Sequence, residues 1–244
     1  MPAIVLLHGF TQTGASWRTV VDELGERYLA LAPDLRGHGS ASRRRPIGFP
    51  ECVADVAAIA PERFTLAGYS MGARVALHVA LALASRVERL VLIGATAGIA
   101  DAVEREARRE QDEELAASLE RDDDIEAFAR RWATQPLLRR QPPAVAAAAH
   151  EDRLRNEPAG LAAALRGLGP GATEPLWGRL AGLPMPVVLI AGERDAKYRT
   201  LAERMAATIP RAEVLTVPAT GHAVHLEAPA IVAAAIAQGA AARP

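Results

Sequence analysis

The sequence contains very little cysteine, and this limits both its covalent structure and its compartment. Cys52 is the single cysteine among 244 residues, so the chain cannot form an intrachain disulfide. Disulfides are rare where thiols are kept reduced, and their absence is typical of proteins from such compartments. We therefore expect a cytoplasmic protein.

Long hydrophobic runs and an excess of one charge are also missing. No segment approaches the roughly 18 consecutive apolar residues of a membrane span, and residues 1–8 lack the basic stretch that opens a signal peptide. The formal net charge is -1, which gives no overall attraction to nucleic acid or anionic lipid. We therefore expect neither a membrane nor a nucleic acid as partner.

Short apolar runs alternate with helical segments along most of the chain. Half of the residues are apolar, and continuous runs rich in β-branched residues and leucine are typical of parallel strands buried on both faces. The sequence predicts a mostly parallel α/β sheet with helices on both faces. Its strands are expected at residues 4–7, 28–32, 64–67, 90–93, 187–190 and 213–217, and its helices at 17–24, 52–60, 73–84, 201–208 and 231–237.

The alternation stops between residues 97 and 180. This stretch has no convincing strand, contains several prolines, and is predicted to be helical at 103–119 and 125–132. It has more acidic residues than arginines, so an anion site within it would need a few arginines folded inward. We predict a core made of residues 1–96 and 181–244, with residues 97–180 as a helical insertion.

The pentapeptide Gly68-Tyr69-Ser70-Met71-Gly72 lies between a predicted strand and a predicted helix. A G-x-S-x-G sequence in this context forms a sharp turn that presents the serine hydroxyl. So tight a turn leaves no room for Cβ atoms beside the serine, and glycine avoids that clash. Ser70 is therefore a candidate nucleophile or base, provided that a histidine and an acid can reach it.

Asp195 and His222 each follow a later predicted strand. Because the carboxyl ends of parallel strands meet at one edge of a sheet, we expect both side chains to lie near Ser70. A histidine can take the serine proton, and an acid fixes the tautomer of that histidine. Glu193 is the alternative acid, and we favour Asp195 because it lies farther out on the loop.

Negative charge that develops beside Ser70 would need hydrogen-bond donors. The backbone N–H of Phe10, after the first strand, and that of Met71 are predicted to form this oxyanion hole. His8 and His38 are expected to be structural residues that hold loops.

No metal or cofactor is predicted. His222 and His225 form an H-x-x-H pair, but no further Cys/His cluster lies nearby in the sequence, so a zinc site is not expected.

Together these motifs resemble the α/β-hydrolase superfamily, which implies an α/β-hydrolase fold with residues 97–180 as a helical cap. The resemblance rests on His8-Gly9-Phe10, the 34–40 segment, the G-x-S-x-G pentapeptide, Asp195 and Gly221-His222. Members of the family usually have a β-hairpin before the strand that comes first here. We expect that hairpin to be absent, which leaves a different sheet edge to be protected.

Further motifs resemble one family within this superfamily, the 2-succinyl-6-hydroxy-2,4-cyclohexadiene-1-carboxylate (SHCHC) synthases of menaquinone biosynthesis. Arg74 follows Ser70 by four residues, and positions four apart share a helix face. The other motifs are residues 104–109, Trp132 with residues 135–137, residues 153–156 and residues 192–198. The resemblance implies a lyase that eliminates pyruvate from a small anionic substrate with several carboxylates.

The resemblance also implies roles for individual residues. Arg74, Arg108 and Arg155 would bind carboxylates, with Tyr69 and Trp132 lining the pocket. The planar guanidinium fork suits a carboxylate because it can donate two parallel hydrogen bonds.

Several alternatives stay open at this point. Arg109 competes with Arg108, Arg153 competes with Arg155, and all four could be surface residues paired with acids. In a synthase of this family, Ser70 with His222 would remove a proton rather than attack a carbonyl. A serine esterase or carbon–carbon bond hydrolase, working through an acyl-enzyme, would need the same activated hydroxyl. A non-catalytic binding protein is the third alternative, and the oligomeric state is not predicted.

Overall fold

The computed structural model describes residues 1–238, which fold around a six-stranded sheet. The sheet order is β2-β1-β3-β4-β5-β6, and every neighbouring pair is parallel. The strands are β1 (Ala3–Leu7), β2 (Leu29–Leu31), β3 (Phe64–Tyr69), β4 (Val87–Ile93), β5 (Val187–Gly192) and β6 (Ala212–Val217). The predicted α/β fold is confirmed, with each of the six predicted strands present.

Ten helices accompany the sheet in the described part of the chain. They are α1 (Arg18–Leu24), α2 (Phe49–Ile59), α3 (Met71–Ala82), α4 (Ala102–Asp122), α5 (Ile125–Ala133), α6 (Pro143–Arg153), α7 (Pro158–Leu168), α8 (Ala196–Ala206), α9 (Val224–Glu227) and α10 (Pro229–Ala237). Short 3₁₀ turns lie at Gly14–Trp17, Gly39–Ala41 and Trp177–Gly182.

Both faces of the sheet are buried, as the continuous apolar strands predicted. Successive side chains of a strand point to opposite faces, and β1 shows this directly. Val5 and Leu7 join the cluster that α2, α3 and α8 cover, whereas Ile4 and Leu6 join the cluster that α1, α9 and α10 cover. The site that these layers support lies at the carboxyl edge of the sheet.

The helices α4 to α7 lie between β4 and β5 and bury a small core of their own. Leu119, Phe128 and Leu161 are fully buried in it, and Phe10, from the loop after β1, packs against it. The sequence predicted α4 and α5 but not α6 and α7. Both of these begin with a proline that looks like a helix breaker in the sequence, although proline is favoured in the first turn of a helix. The division into core and cap domains stays a prediction.

In residues 1–238 no hairpin precedes β1, and β2 and β6 form the two sheet edges. The β2 edge is only three residues long. A short edge offers few free backbone groups to another chain, which limits unwanted pairing.

Within the same residues, no helix has the combined length and apolar character that crossing a lipid bilayer requires.

The turn from β3 into α3 is packed directly against β1. A Cβ atom on Gly72 would lie 2.1 Å from the Leu7 carbonyl oxygen, and one on Gly68 would lie 2.4 Å from the Gly72 carbonyl oxygen. Ser70, between them, has a φ of 52°, a left-handed conformation that non-glycine residues rarely adopt. The two glycines are therefore required by the close approach of backbone to backbone.

Gly72→Ala is expected to destabilise the protein by about 3 kcal/mol, because the added methyl group meets backbone that cannot move aside. Urea unfolding followed by circular dichroism measures this free energy. Gly178→Ala is the matched control, since a Cβ atom there has open space within 4 Å. Equal stability of the two variants would contradict the packing argument.

Candidate active site

Three side chains from different strand ends meet at the carboxyl edge of the sheet. The Nε2 atom of His222 lies 3.2 Å from Ser70 Oγ, and its Nδ1 atom lies 2.6 Å from Asp195 Oδ2. His222 and Asp195 are 4% and 5% exposed. A carboxylate at Nδ1 keeps the proton on that nitrogen, so Nε2 can accept the serine proton. The structure therefore brings together the Ser-His-Asp set that the sequence predicted.

Asp195, rather than Glu193, is the acid that contacts His222. The other oxygen of Asp195 accepts the backbone N–H of Tyr198 at 3.4 Å, which caps the start of α8. Glu193 is exposed, and its Oε2 accepts the N–H of Ala219 at 2.8 Å. The Glu193 carboxylate therefore holds the loop that carries His222 and does not contact the imidazole.

The predicted oxyanion donors, Phe10 and Met71, both line the cavity beside Ser70. Neither backbone N–H has an acceptor among residues 1–238. The loop that carries Phe10 is fixed by its neighbours, because Gln12 Oε1 accepts the N–H of Gly9 and the N–H of Gln12 bonds to the Gly9 carbonyl. Two free donors beside a serine hydroxyl are what a developing oxyanion requires.

His8 and His38 have the buried positions expected of structural residues. His8 accepts the Leu35 N–H at Nε2 and donates from Nδ1 to the Gly9 carbonyl, each at 2.9 Å. This joins the loop after β1 to the loop after β2. His38 packs edge-on against His8 and Phe10, and its burial lowers its pKa from 6.5 to about 3.

His225 is also buried, between the rings of Trp17 and Tyr69. Burial is the main cause that lowers its pKa from 6.5 to about 3, and the neighbouring His222 adds to the effect. At neutral pH this imidazole is uncharged, so it supports Tyr69 by ring packing and adds no positive charge behind the site.

A cavity of about 220 Å³ opens above Ser70. Most of the predicted binding residues line it. These are Phe10, Tyr69, Met71, Arg74, Arg108 and Trp132, together with Ser70 and His222. Trp132 on α5 packs edge-on against Phe10 at 5.2 Å between ring centroids, so the helical insertion closes one side of the cavity.

Arg74 is a deeply buried cation of this cavity, at 5% exposure. Its Nη2 atom donates to the carbonyl of Leu168, the last residue of α7, at 2.7 Å, and its Nε atom is buried without a partner. Burial lowers the pKa of Arg74 from 12.5 to about 10, so it stays charged at neutral pH. A helix carboxyl end favours a cation, but no carboxylate of residues 1–238 lies within ion-pair distance of this guanidinium.

Arg108 rather than Arg109 faces the cavity, as preferred from the sequence. Its Nε atom donates to the buried carboxylate of Asp112 at 2.9 Å, one helical turn away on α4. Arg109 lies outside the cavity lining, where it donates weakly to the Gly171 carbonyl at 3.4 Å. Asp112 also accepts the Gly171 N–H at 3.0 Å, so it holds both Arg108 and the loop after α7.

Arg155 does not reach this cavity, and here the sequence-based choice was wrong. Its side chain is 56% exposed and pairs loosely with Asp152 at 3.7 Å. Arg153 lines the cavity instead, with 3% exposure and a buried Nε atom that has no partner. Arg153 is the last residue of α6, and Arg155 lies in the turn beyond it, so the end of the helix decides which arginine faces inward.

Comparison with known proteins agrees with this geometry. A model of the alpha/beta hydrolase family matches residues 4–235. The chain belongs to the alpha/beta hydrolase family.

Several relatives match this chain over most of their own length. A Bacillus subtilis (strain 168) protein, provisionally named as an SHCHC synthase, is 35% identical over 93% of this chain and 86% of its own length. The SHCHC synthase of Klebsiella pneumoniae (strain 342) is 32% identical over 97% of this chain and 93% of its own length. The solved structure of MenH from S. aureus superposes with a TM-score of 0.92 at 30% identity, over 98% of this chain and 92% of that one.

Tyr198 and Gln12 are among the cavity residues of this family member that were not predicted from the sequence as site residues. Tyr198 lies in the first turn of α8, and its ring centroid is 4.4 Å from that of His222. Tyr198 is the third residue after Asp195, which caps the helix, and this spacing could have identified it as a site residue. Gln12 lines the cavity with 5% exposure, and nothing in its sequence context distinguished it from an ordinary loop residue.

Across the described residues, no group of three or more His, Cys, Asp or Glu side chains is placed to hold a metal ion.

Asp195→Asn is expected to slow covalent labelling of Ser70 by a fluorophosphonate roughly 10³-fold or more, because an amide no longer holds the required tautomer of His222. The labelling rate is measured by mass spectrometry of the intact protein. Glu193→Gln is the matched control and should label at the native rate. Equal losses in the two variants would show that the acid has been misassigned.

His225→Phe is expected to make the free energy of unfolding depend less steeply on pH below neutrality. The unfolded chain protonates this histidine below its ordinary pKa of 6.5, whereas the folded protein does so only near 3. The free energy of unfolding therefore falls as pH drops between these values, by about 1.4 kcal/mol per pH unit for this residue. The variant lacks that contribution.

Urea unfolding at about pH 7, 6 and 5 measures the difference in slope between the native protein and His225→Phe. His150→Gln, at a partly exposed position on α6, is the control substitution. An unchanged slope in His225→Phe would mean that His225 binds protons equally in the folded and unfolded protein, which contradicts the lowered pKa.

Proposed function

We propose that this protein is an SHCHC synthase, a carbon–oxygen lyase of menaquinone biosynthesis that releases pyruvate from a cyclohexene substrate with several carboxylates. Relatives that carry this name span nearly the whole chain at 32% identity or more. The chain also has the activated serine and the cationic cavity that such an elimination requires. No cofactor takes part in the proposed reaction.

The observation that carries the proposal is the uncompensated positive charge beside Ser70. Arg74 and Arg153 line one cavity, both are buried, and neither has an acidic partner within ion-pair distance in residues 1–238. A buried charge without a counter-ion is costly, by several kcal/mol. A ligand carboxylate would relieve that cost, whereas a neutral ester would not.

Arg108 completes the proposed binding set in a different way. Its Nε atom is already held by Asp112, which leaves the outer nitrogens of the guanidinium for a ligand. Its side chain is 37% exposed, so it can meet an anion at the mouth of the cavity. Tyr69 and Trp132 supply flat walls that suit a six-membered ring.

The chemistry follows from the Ser70–His222 pair. The hydroxyl gives its proton to Nε2 of His222, and the serine oxygen removes a proton from a ring carbon next to a carbonyl. The electrons of the broken C–H bond move through the ring and cleave the C–O bond to the leaving group. The departing enolate of pyruvate takes up a proton and leaves as pyruvate.

Negative charge appears on the carbonyl oxygen as the ring proton leaves. The free N–H groups of Phe10 and Met71 are the proposed donors to this oxygen. They act only when the charge develops, so they stabilise the transition state more than the bound substrate.

A serine esterase is the alternative function, and the hydrogen-bonded Ser70-His222-Asp195 set favours it equally. In that reaction Ser70 would attack a carbonyl carbon and form an acyl-enzyme. An esterase has no need of buried, unpaired arginines beside the serine, and for this reason we prefer the lyase.

The proposed partner is therefore a small anionic molecule rather than a nucleic acid or a membrane. We place the protein in the cytoplasm, because its single cysteine gives no sign of an oxidising compartment.

Pyruvate release from the synthase substrate, followed with lactate dehydrogenase, tests the function, with Ser70→Ala as the background. Replacing Arg74, Arg108 or Arg153 by Ala is expected to lower kcat/KM by about 10² or more, because each loss leaves a ligand carboxylate without its charged partner. The structure offers neighbouring controls. Arg109→Ala and Arg155→Ala should stay within about threefold of the native value, since neither side chain lines the cavity.

Two results would count against the lyase. One is a rate of pyruvate release no greater than that of Ser70→Ala. The other is rapid burst acylation by activated esters that Arg74→Ala leaves unchanged, which would favour the esterase.

A further inference from the structure

Tyr198 touches each part of the site, although the reaction proposed above does not use it. Its backbone N–H donates to Asp195, its ring lies against His222, and its side chain lines the cavity. The imidazole of His222 thus contacts two tyrosine rings, with the centroid of Tyr69 5.2 Å away and that of Tyr198 4.4 Å away. The Tyr198 ring therefore packs against the imidazole at the edge of the cavity.

Tyr198 lines the same cavity as Arg74 and Arg108. Burial raises the pKa of Tyr198, and the positive charges of Arg74 and Arg108 act in the opposite direction. The phenol is neutral at physiological pH and can donate a hydrogen bond. No residue among 1–238 accepts a hydrogen bond from it or donates one to it.

A free phenol donor in the same cavity as two guanidinium groups matches the needs of a carboxylate. A carboxylate has about four lone-pair sites and can accept from more than one donor at once. The two arginines supply charge, and a neutral hydroxyl adds a directional donor without adding repulsion between cations.

We infer that the Tyr198 hydroxyl is a further donor to the carboxylate held by Arg74 and Arg108, and that it determines specificity for an anionic substrate. This inference rests on the proposed function for the identity of the substrate, but the carboxylate subsite itself does not depend on the reaction. Because the same side chain packs against His222, an occupied subsite would also hold the ring against the imidazole.

Tyr198→Phe removes the hydroxyl and keeps the ring. We expect KM for pyruvate release to rise about tenfold, because a hydrogen bond to a charged group is lost, with kcat within about twofold of native. Tyr28→Phe, at a position outside the cavity lining, is the control and should change neither constant.

A second measurement does not require turnover. Succinate is the probe, since it carries the simplest pair of carboxylates, and its affinity is measured by calorimetry on the native protein and on Tyr198→Phe. We expect about tenfold weaker binding in the variant. If the native protein releases no pyruvate but the variant still binds succinate more weakly, the proposed function fails and the Tyr198 subsite stands.

Unchanged KM and unchanged succinate affinity in Tyr198→Phe would overturn the inference. A fall in kcat at constant KM would also overturn it, because the hydroxyl would then act in the chemical step rather than in binding. Tyr198→Ala should lower kcat as well as raise KM, since His222 loses the ring that packs against it. Equal behaviour of the Ala and Phe variants in kcat would contradict the positioning role of the ring.

Discussion

The contact of Gly72 with the Leu7 carbonyl oxygen is the constraint on which the site depends. It places the first turn of α3 directly on the end of β1, with no side chain between them. Ser70 is thereby held in a left-handed conformation, and Met71 and Phe10 line the same cavity as its side chain. Because α3 continues from this contact, Arg74 follows one turn later in the floor of the cavity. A single backbone approach therefore fixes the serine, both proposed oxyanion donors and the central cation.

The helical insertion orients groups of the site that the sheet edge alone does not fix. The carbonyl at the end of α7 accepts from Arg74, so the buried cation is oriented by a helix that is distant in sequence. Polar contacts tie the insertion to the loop after β1: Asp152 accepts the N–H of Thr13, and Asn156 donates to the Thr11 carbonyl. Thr11 has a φ of 69°, so these bonds also hold a strained loop beside Phe10. Charge in the cavity and the shape of the oxyanion loop are thus set by the same helices.

Sequence patterns correctly placed the side chains whose positions depend on where strands end. They failed for side chains whose positions depend on where a helix ends. Ser70, Asp195 and His222 could be identified because parallel strands bring their carboxyl ends to one edge, whatever the intervening chain does. The choice between Arg153 and Arg155 depends on where α6 stops, and helix ends are poorly marked in an alanine-rich segment. The start of α8 was missed for a related reason. Its first residues have no apolar periodicity, and the helix begins where the Asp195 side chain caps it.

The same hydrogen-bonded serine can serve an elimination or a hydrolysis, so the surrounding charge has to decide between them. Acyl transfer needs a substrate carbonyl carbon within reach of Ser70 and a neutral pocket for the leaving group. Proton abstraction next to a carbonyl needs a substrate held rigidly by groups that do not react, since binding energy from those groups positions the carbon acid. Buried arginines without acidic partners provide such holding only for an anion, and they penalise a neutral ligand by staying unpaired. Because Arg74 and Arg153 have no counter-ion from residues 1–238 in this cavity, substrates with several carboxylates are bound in preference to neutral ones.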